Sequence, residues 1–382
     1  MKTEDIKDFQ AGEWVERHEY KSFTPSSINK QWTSNNPEII ALLSEAEFQI
    51  GRLNAYSELV PEMSSFVNMF VTKDAVASCR IEGAQVSFEE ALMKERETPE
   101  KRREDWREVH YYIDTLYKAI EEKKRLPISN RLISSIHEMI LQGARGKKQQ
   151  PGAYRTSQNW IGENLKKAIF VPPTSEEIPE LMKDLEDFIH TETMDMSLQT
   201  PYLIKAAIIH YQFATIHPFL IGNNRLGNIL TTLYLIDKGR LKLPVLPLSD
   251  YFELNSRQYF ATFMQVRTFN ELEKWIAFFL KAIIETSKKG IQALQNIIAL
   301  QDDIVSKRFI YLERKQPIGR RLLSELYKQP MIDSNQIVDL LEVHPATANR
   351  LLVDFEEMHI LRELTGYRRN RIFSFDEYIR QF

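Results

Sequence analysis

One stretch of the chain sets a base beside a phosphate cradle. It reads His217-Pro218-Phe219-Leu220-Ile221-Gly222-Asn223-Asn224-Arg225 and lies between two strongly apolar segments, 202–216 and 226–235. A Gly/Asn-rich loop that opens a helix directs several backbone N–H groups into one concavity. The positive end of the helix dipole adds to them, so the spot suits a phosphate. Arg225 can contribute charge-assisted, bidentate bonds to the same group. The imidazole of His217, with an ordinary pKa of about 6.5, can take a proton near neutral pH. Together these residues are the minimum needed to move a phosphoryl or nucleotidyl group onto a hydroxyl. A plain helix–helix turn with a histidine cap fits the same residues, because Gly-Asn pairs are common in turns.

Few other residues suggest chemistry. Ser78 and Glu82 are four apart and share a helix face. His210 and His217 are seven apart with no further ligand at metal spacing, so no metal site of protein ligands is expected. Cys79 is the one cysteine, which excludes an intrachain disulfide, fits a reducing compartment and reads as a core residue. The composition is that of an ordinary globular protein, with 43% hydrophobic and 27% charged residues over 382 positions. A formal net charge of -3 gives no global polycation for nucleic acid, so DNA contact requires a local basic patch. The charged opening MKTEDIKDFQ lacks the apolar core of a secretory signal, and no run approaches the ~20 apolar residues of a membrane span. A cytoplasmic protein without membrane attachment is the expectation.

The elements that must position the loop are mostly helices. Residues 1–32 read as a polar, aromatic arm. Ile39, Leu42, Leu43, Ala46 and Ile50 recur at helical spacing, as do Leu132, Ile133, Ile136, Met139 and Ile140. Helices are also expected over 109–120, 202–216, 226–235, 251–266 and 272–284, with a long polar connector over 288–314. At least eight helices should fall before residue 290. The one β-element expected there is a hairpin near Trp160–Val171, turning at Gly162-Glu163-Asn164. Beyond Pro317 the texture changes to short helices over 334–341 and 345–358, then alternating strands over 360–364 and 371–375. That is a winged helix-turn-helix pattern. Its second helix offers Thr347, Asn349 and Arg350 to a groove and its tip carries Arg368, Arg369 and Arg371. Asp354, Glu356 and Glu357 lie on the same helix and oppose DNA. DNA binding and a protein-docking or dimer role both remain open.

The loop resembles the signature of Fic proteins, in which His-Pro-Phe is followed by one free position, an acidic residue, Gly-Asn-Gly-Arg and, three residues on, a second arginine. Arg155-Thr156-Ser157-Gln158-Asn159-Trp160-Ile161-Gly162 with Phe170-Val171-Pro172-Pro173 is similar to the family's flap hairpin. Ser78-Cys79-Arg80-Ile81-Glu82-Gly83 matches its Ser/Thr-x-x-x-Glu-Gly/Asn inhibitory motif, and Thr365-Gly366-Tyr367-Arg368-Arg369-Asn370-Arg371 resembles the winged-helix tail of one subgroup. The implied fold is mainly α: a Fic helical core with a short β-hairpin flap, plus a C-terminal winged helix-turn-helix module. The implied divisions are an N-terminal region with the inhibitory motif (1–106), the Fic core (107–286), a connector helix (287–315) and the winged-helix module (316–382).

The resemblance also implies an activity, transfer of AMP from ATP to a Ser, Thr or Tyr hydroxyl of a target protein, which can be the chain itself. His217 would be the base. Gly222, Asn223, Asn224 and Arg225 would hold the phosphates, and Tyr251, Asn255 and Tyr259 would line the base and ribose pocket. Ala168, Ile169, Phe170 and Val171 would hold the target segment by strand addition. Glu82, with Ser78 and Gly83, would form the inhibitory element that blocks the γ-phosphate position. Three residues depart from the pattern. Ile221 stands where the acidic Mg²⁺ ligand is usual, and its side chain offers no oxygen. Asn224 replaces a glycine, and Asn228 replaces the second arginine.

Overall fold

The computed structural model describes residues 3–60, 63–143, 149–193, 195, 199–367 and 370–382. The N-terminal arm is more ordered than its sequence suggests. Strand β1 (Thr3–Asp5) pairs in parallel with β4 (Gln31–Thr33), and β2 (Gly12–Glu16) pairs antiparallel with β3 (Lys21–Pro25). This corrects the expectation that the Trp160–Val171 hairpin is the sole β-structure before residue 290. The strands are three to five residues long, too short to show a clear alternation. They are held from outside: Phe23 and Trp32 are buried, and the Phe23 N–H donates to the Val171 carbonyl at 2.9 Å.

Helix α1 (Pro37–Leu59) starts where Asn36 accepts from the Glu38 N–H and proline takes the first position, and it buries Ile39, Ala46, Ile50 and Leu53 on one face. Next come α2 (Met63–Ile81), α3 (Phe88–Leu92), α4 (Arg103–Lys123) and α5 (Asn130–Ile140). The expected flap hairpin is present as β5 (Ile161–Gly162) paired antiparallel with β6 (Ala168–Phe170). Helices α6 (Ile178–His190), α7 (Tyr202–Ile216) and α8 (Asn223–Asp237) follow. All but Tyr202 and Ala214 of α7 are buried, so α7 and α8 must sit at the centre with the other helices wrapped round them. Each fully buried Leu or Ile adds on the order of 1.5–3 kcal/mol to that arrangement. Several polar groups on α7 are matched: Gln212 donates to the Ser26 carbonyl, and Trp275 donates to the carbonyl of Ala207 at 2.7 Å.

The single helix expected over 251–266 is two, α9 (Leu248–Leu254) and α10 (Ser256–Phe269), because Asn255 (φ −113°, ψ 31°) leaves the helical region. The expected connector is likewise not a separate helix. Helix α11 (Leu272–Asp303) runs unbroken across 286/287 and buries Ile291, Leu294 and Ile297, an apolar stripe under a polar exterior. Short π and 3₁₀ turns carry the chain from Ile304 to Lys315. Among the described residues, eleven α-helices begin before residue 290.

The C-terminal module comprises α12 (Gln316–Lys328), β7 (Met331–Asp333), α13 (Ser334–Leu341), α14 (Pro345–Glu357), β8 (Arg362–Glu363), β9 (Ile372–Ser374) and α15 (Asp376–Ile379). Its three strands form an antiparallel sheet in the order β7-β9-β8. Of the expected basic tip, Arg368 and Arg369 lie outside the described residues, and Arg371 lies over the ring of Phe373. Among the described residues, no helix is long and apolar enough to cross a membrane.

Candidate active site

The site forms where α7 ends and α8 begins. His217 closes α7 in the left-handed region (φ 49°, ψ 60°), with its N–H on the Phe213 carbonyl. Pro218 cannot extend the helix. Gly222 (φ 76°) then starts α8, a conformation that favours glycine, while an added Cβ would meet only ordinary contacts. The loop between them is braced by Asn223. Its side-chain oxygen accepts from the Phe219 N–H at 3.0 Å, and its amide donates to the Phe219 carbonyl at 2.7 Å. What Asn223 offers an anion is therefore its backbone N–H. The first four N–H groups of any α-helix lack an intrahelical acceptor.

That cradle is occupied by a side chain. Glu82, just past the end of α2, accepts from the Arg225 N–H at 3.2 Å and from Arg225 Nε at 2.7 Å. Its carboxylate thus lies against the first turn of α8. Arg225 is 4% exposed and its Nη1 lies 3.8 Å from the Glu108 carboxylate. Burial alone would depress the guanidinium, but the facing Glu82 and Glu108 carboxylates more than offset it and hold it above its ordinary value. Ser78 and Gly83, the other two residues of the expected element, lie beside it. Ser78 is fully buried and accepts from the Asn228 amide at 2.8 Å. Gly83 (φ 103°) follows α2 in open space, with nothing within 4 Å of where a Cβ would stand, so its conformation rather than crowding favours glycine.

His217 faces two amide groups. Asn159 and Asn223 lie 3.3 and 3.2 Å from its Nδ1. Both amides are oriented by backbone N–H groups on their oxygens, from Trp160 and Phe219. The ring nitrogen therefore meets NH₂ groups, accepts at Nδ1 and carries its proton at Nε2. Burial, then Arg155 and Arg267, pushes the imidazole down to about 3. Arg155 fastens the flap to this spot: it is 1% exposed and donates to the carbonyls of His217, Ser157 and Pro173. Arg267 lies 3.6 Å from the ring of Phe170.

A third histidine holds the cradle's edge. His137 is fully buried on α5 and accepts the Gly152 N–H at Nδ1, which leaves Nε2 protonated to donate to the Ile221 carbonyl at 3.1 Å. Its ring stacks on Phe219 at 3.8 Å. Burial pushes it down to about 4, with the Ile221 carbonyl acting in the opposite direction. Sequence reading missed His137, Asn159 and Glu108. The available signals were a histidine interrupting the apolar stripe of α5 and an asparagine in the flap segment.

The expected nucleotide-pocket residues separate. Tyr259 donates to the Asn224 side-chain oxygen at 3.1 Å and also lies 2.8 Å from His210 Nε2. Asn224, in place of a glycine, is thereby tied to a buried chain, while its amide nitrogen is buried without a hydrogen-bond acceptor among the described residues. Tyr251 packs on Phe278, and Asn255 donates to the Tyr251 carbonyl; among the described residues, neither is hydrogen-bonded to the loop. In the flap, Ile169 is 68% exposed while Phe170 and Val171 are buried against the N-terminal hairpin. Ile221 is half-buried against the core, and among the described residues no group of three or more His, Cys, Asp or Glu side chains could hold a metal. Cys79 is buried and its thiol is pushed up to about 12, as befits a core residue.

Two family models match this chain in succession, Fic/DOC family N-terminal over residues 40–121 and Fic/DOC family over 127–235. The second contains the loop, the flap and His137; the first contains Ser78 and Glu82. A protein of Aquifex aeolicus described as a probable protein adenylyltransferase is 28% identical over 187 residues, 47% of this chain and 52% of its own length. The Caenorhabditis elegans protein adenylyltransferase fic-1 is 30% identical over 136 residues, 35% of this chain and 25% of its own. The chain thus spans about half the length of the first relative and a quarter of the second. Among solved structures, a Fic family protein of Desulfovibrio desulfuricans superposes with a TM-score of 0.58 at 20% identity, covering 90% of this chain and 97% of that one. A Fic domain containing signaling protein of Bacteroides thetaiotaomicron gives 0.54 at 21% identity over 68% of this chain and 97% of the other. A helical core, a loop running from His217 to an arginine at a helix start, and two successive family matches agree, and the chain belongs to the Fic family.

Proposed function

We propose that this chain transfers AMP from ATP to a protein hydroxyl and rests in a state blocked by Glu82. The observation that carries this reading is the Glu82 carboxylate on the Arg225 N–H and Nε, an internal anion in a phosphate-shaped cradle beside His217. With Glu82 withdrawn, Arg225 and the first N–H groups of α8 hold the phosphates. His217 takes the proton of a Ser, Thr or Tyr hydroxyl at Nδ1, which the Asn159 and Asn223 amides yield to it, the hydroxyl oxygen bonds to the α-phosphorus, and the bond from that phosphorus to the bridging oxygen breaks to release pyrophosphate. Bound polyphosphate offsets the field of Arg155 and Arg267 and so raises the basicity of His217. The exposed Ile169 edge of the flap, with Ala168, is the surface offered to the target segment. The lone buried cysteine supports a reducing, cytoplasmic setting.

The residues present do not fit a protein-held Mg²⁺. Hard cations take oxygen ligands, and the loop position that would supply one is the aliphatic Ile221. This observation favours a second reading, a nucleotide-binding Fic scaffold with little transfer activity whose output runs through the C-terminal module. Acidic residues slightly outnumber basic ones from Gln316 to Phe382, ten against nine, which supports protein docking or dimerisation over DNA binding by that module.

Incubation with ATP labelled on the α-phosphate tests both readings. The enzyme reading expects label on the Glu82→Gly protein and none once His217→Ala is added. If Glu82→Gly is silent but gains label when Ile221→Asp, Asn224→Gly and Asn228→Arg are introduced together, the scaffold reading replaces it.

A further inference from the structure

We infer that the C-terminal module is a latch on the inhibitory carboxylate, an inference that rests on reading Glu82 as the occupant of a phosphate cradle. The module grips the inhibitory segment on both sides of Glu82. On the N-terminal side, α2 carries Phe66 against Tyr327 of α12 at 5.0 Å and against Tyr378 of α15 at 6.0 Å. One turn further, Phe70 packs on Phe382 at 5.0 Å, and Lys73 donates to the Phe382 carbonyl oxygen. The same helix then buries Ser78 and ends at Ile81, so its module-facing half and its cradle-facing end are one rigid rod.

On the C-terminal side, the chain leaves Glu82 through Gly83, passes α3 and reaches Lys94 and Arg96. Both cations lie on Asp333 of the module, at 2.6 and 3.5 Å. Asp333 is 7% exposed and also caps α13, accepting from the Gln336 N–H. The segment from Gly83 to Arg96 is therefore joined to the module at its far end by one buried carboxylate, while the Gln85 N–H, Glu90 and the Met93 carbonyl are held by Asp105, Arg102 and Trp106. Beside this strut is a cavity of about 590 Å³ lined by Arg96, Asp333, Asn335, Tyr367, Asn370 and Ile372. Loosening the strut removes the module's share of the restraint on that segment and raises the fraction of molecules with Glu82 out of the cradle.

Asp333→Asn in the full-length chain tests the latch, because asparagine keeps the α13 cap while removing the charge that holds Lys94 and Arg96. Lys94→Met removes the strut from the other end. Hydrogen–deuterium exchange of the peptide covering residues 78–84, with no ligand added, should quicken about two- to fivefold in both variants. ADP affinity should rise by a similar factor in the wild-type background and not change in Glu82→Gly, since the latch acts only through that carboxylate. Exchange identical to wild type in both variants overturns the latch. So does an affinity change of equal size with and without Glu82, which would report general loosening. If Glu82→Gly binds ADP no better than wild type, the cradle reading fails, while the exchange measurement still decides whether the module restrains the segment.

Discussion

Glu82→Gly removes the carboxylate from the start of α8, and its effect on nucleotide binding can be sized from the geometry. Glu82 makes two charge-assisted bonds, at 2.7 and 3.2 Å, to a guanidinium and a backbone N–H of a residue 4% exposed. Bonds to charged groups contribute about 1.5–3 kcal/mol each. The second is long and the Glu82 side chain is 23% exposed, so the pair is worth about 2–3 kcal/mol rather than the full sum. A nucleotide phosphate must displace that bond set. At about 1.4 kcal/mol per tenfold, the variant should bind ADP or ATP roughly 30- to 150-fold more tightly by titration calorimetry. The same change leaves Arg225 buried with Glu108 at 3.8 Å as its remaining acidic neighbour, so the ligand-free variant should melt a few degrees lower and recover when ADP is added. Affinities within about twofold of wild type would refute the reasoning, because the carboxylate would then not compete for the phosphate position.

His137→Phe should keep the stack on Phe219 yet leave the Gly152 N–H and Ile221 carbonyl unpaired, costing about 2–5 kcal/mol of stability by urea denaturation. Nucleotide affinity in the Glu82→Gly background should fall with it, since the Ile221–Gly222 edge loses its brace. Stability should also fall on mild acidification. Burial holds His137 near 4 and His210 and His217 near 3, so below about pH 6.5 the unfolded chain takes up protons that the folded chain refuses. Each contributes about 1.4 kcal/mol per pH unit, so the three together cost about 4 kcal/mol between pH 6 and 5. The Asp74 carboxyl, pushed up by burial, opposes this for one group. Thermal melts across pH 7.5 to 5 read the sum; a flat profile would contradict the burial of His137 and His210 and the low basicity of His217.

What the sequence made legible is what chain-local rules control. Apolar periodicity located the helices, and the run from His217 to Arg225 announced its cradle because its parts are consecutive. Ser78 and Glu82 were readable as a pair because four residues make one helical turn, although Arg225 lies 143 positions away from Glu82. The bracing residues were not readable, since topology alone brings them to the loop. His137 reaches Ile221 across 84 positions, Arg155 reaches the His217 carbonyl across 62, and Asn159 reaches the ring across 58. The N-terminal strands were hidden for the same reason: β1 finds its partner 28 residues on, across the intervening β2–β3 hairpin. The charged run from Glu97 to Arg107 reads as a solvated helix start or linker, yet Lys94 just before it anchors on Asp333, 239 positions downstream.

The position of a nucleotide phosphate decides most directly whether Glu82 occupies an anion site. A crystal structure of the Glu82→Gly protein with ADP measures this. The prediction is a phosphate oxygen within hydrogen-bond reach of both the Arg225 N–H and Arg225 Nε, in the place vacated by the Glu82 carboxylate, with His217 beside it. Nucleotide bound elsewhere, or a cradle that stays empty at saturating ADP, would contradict the account.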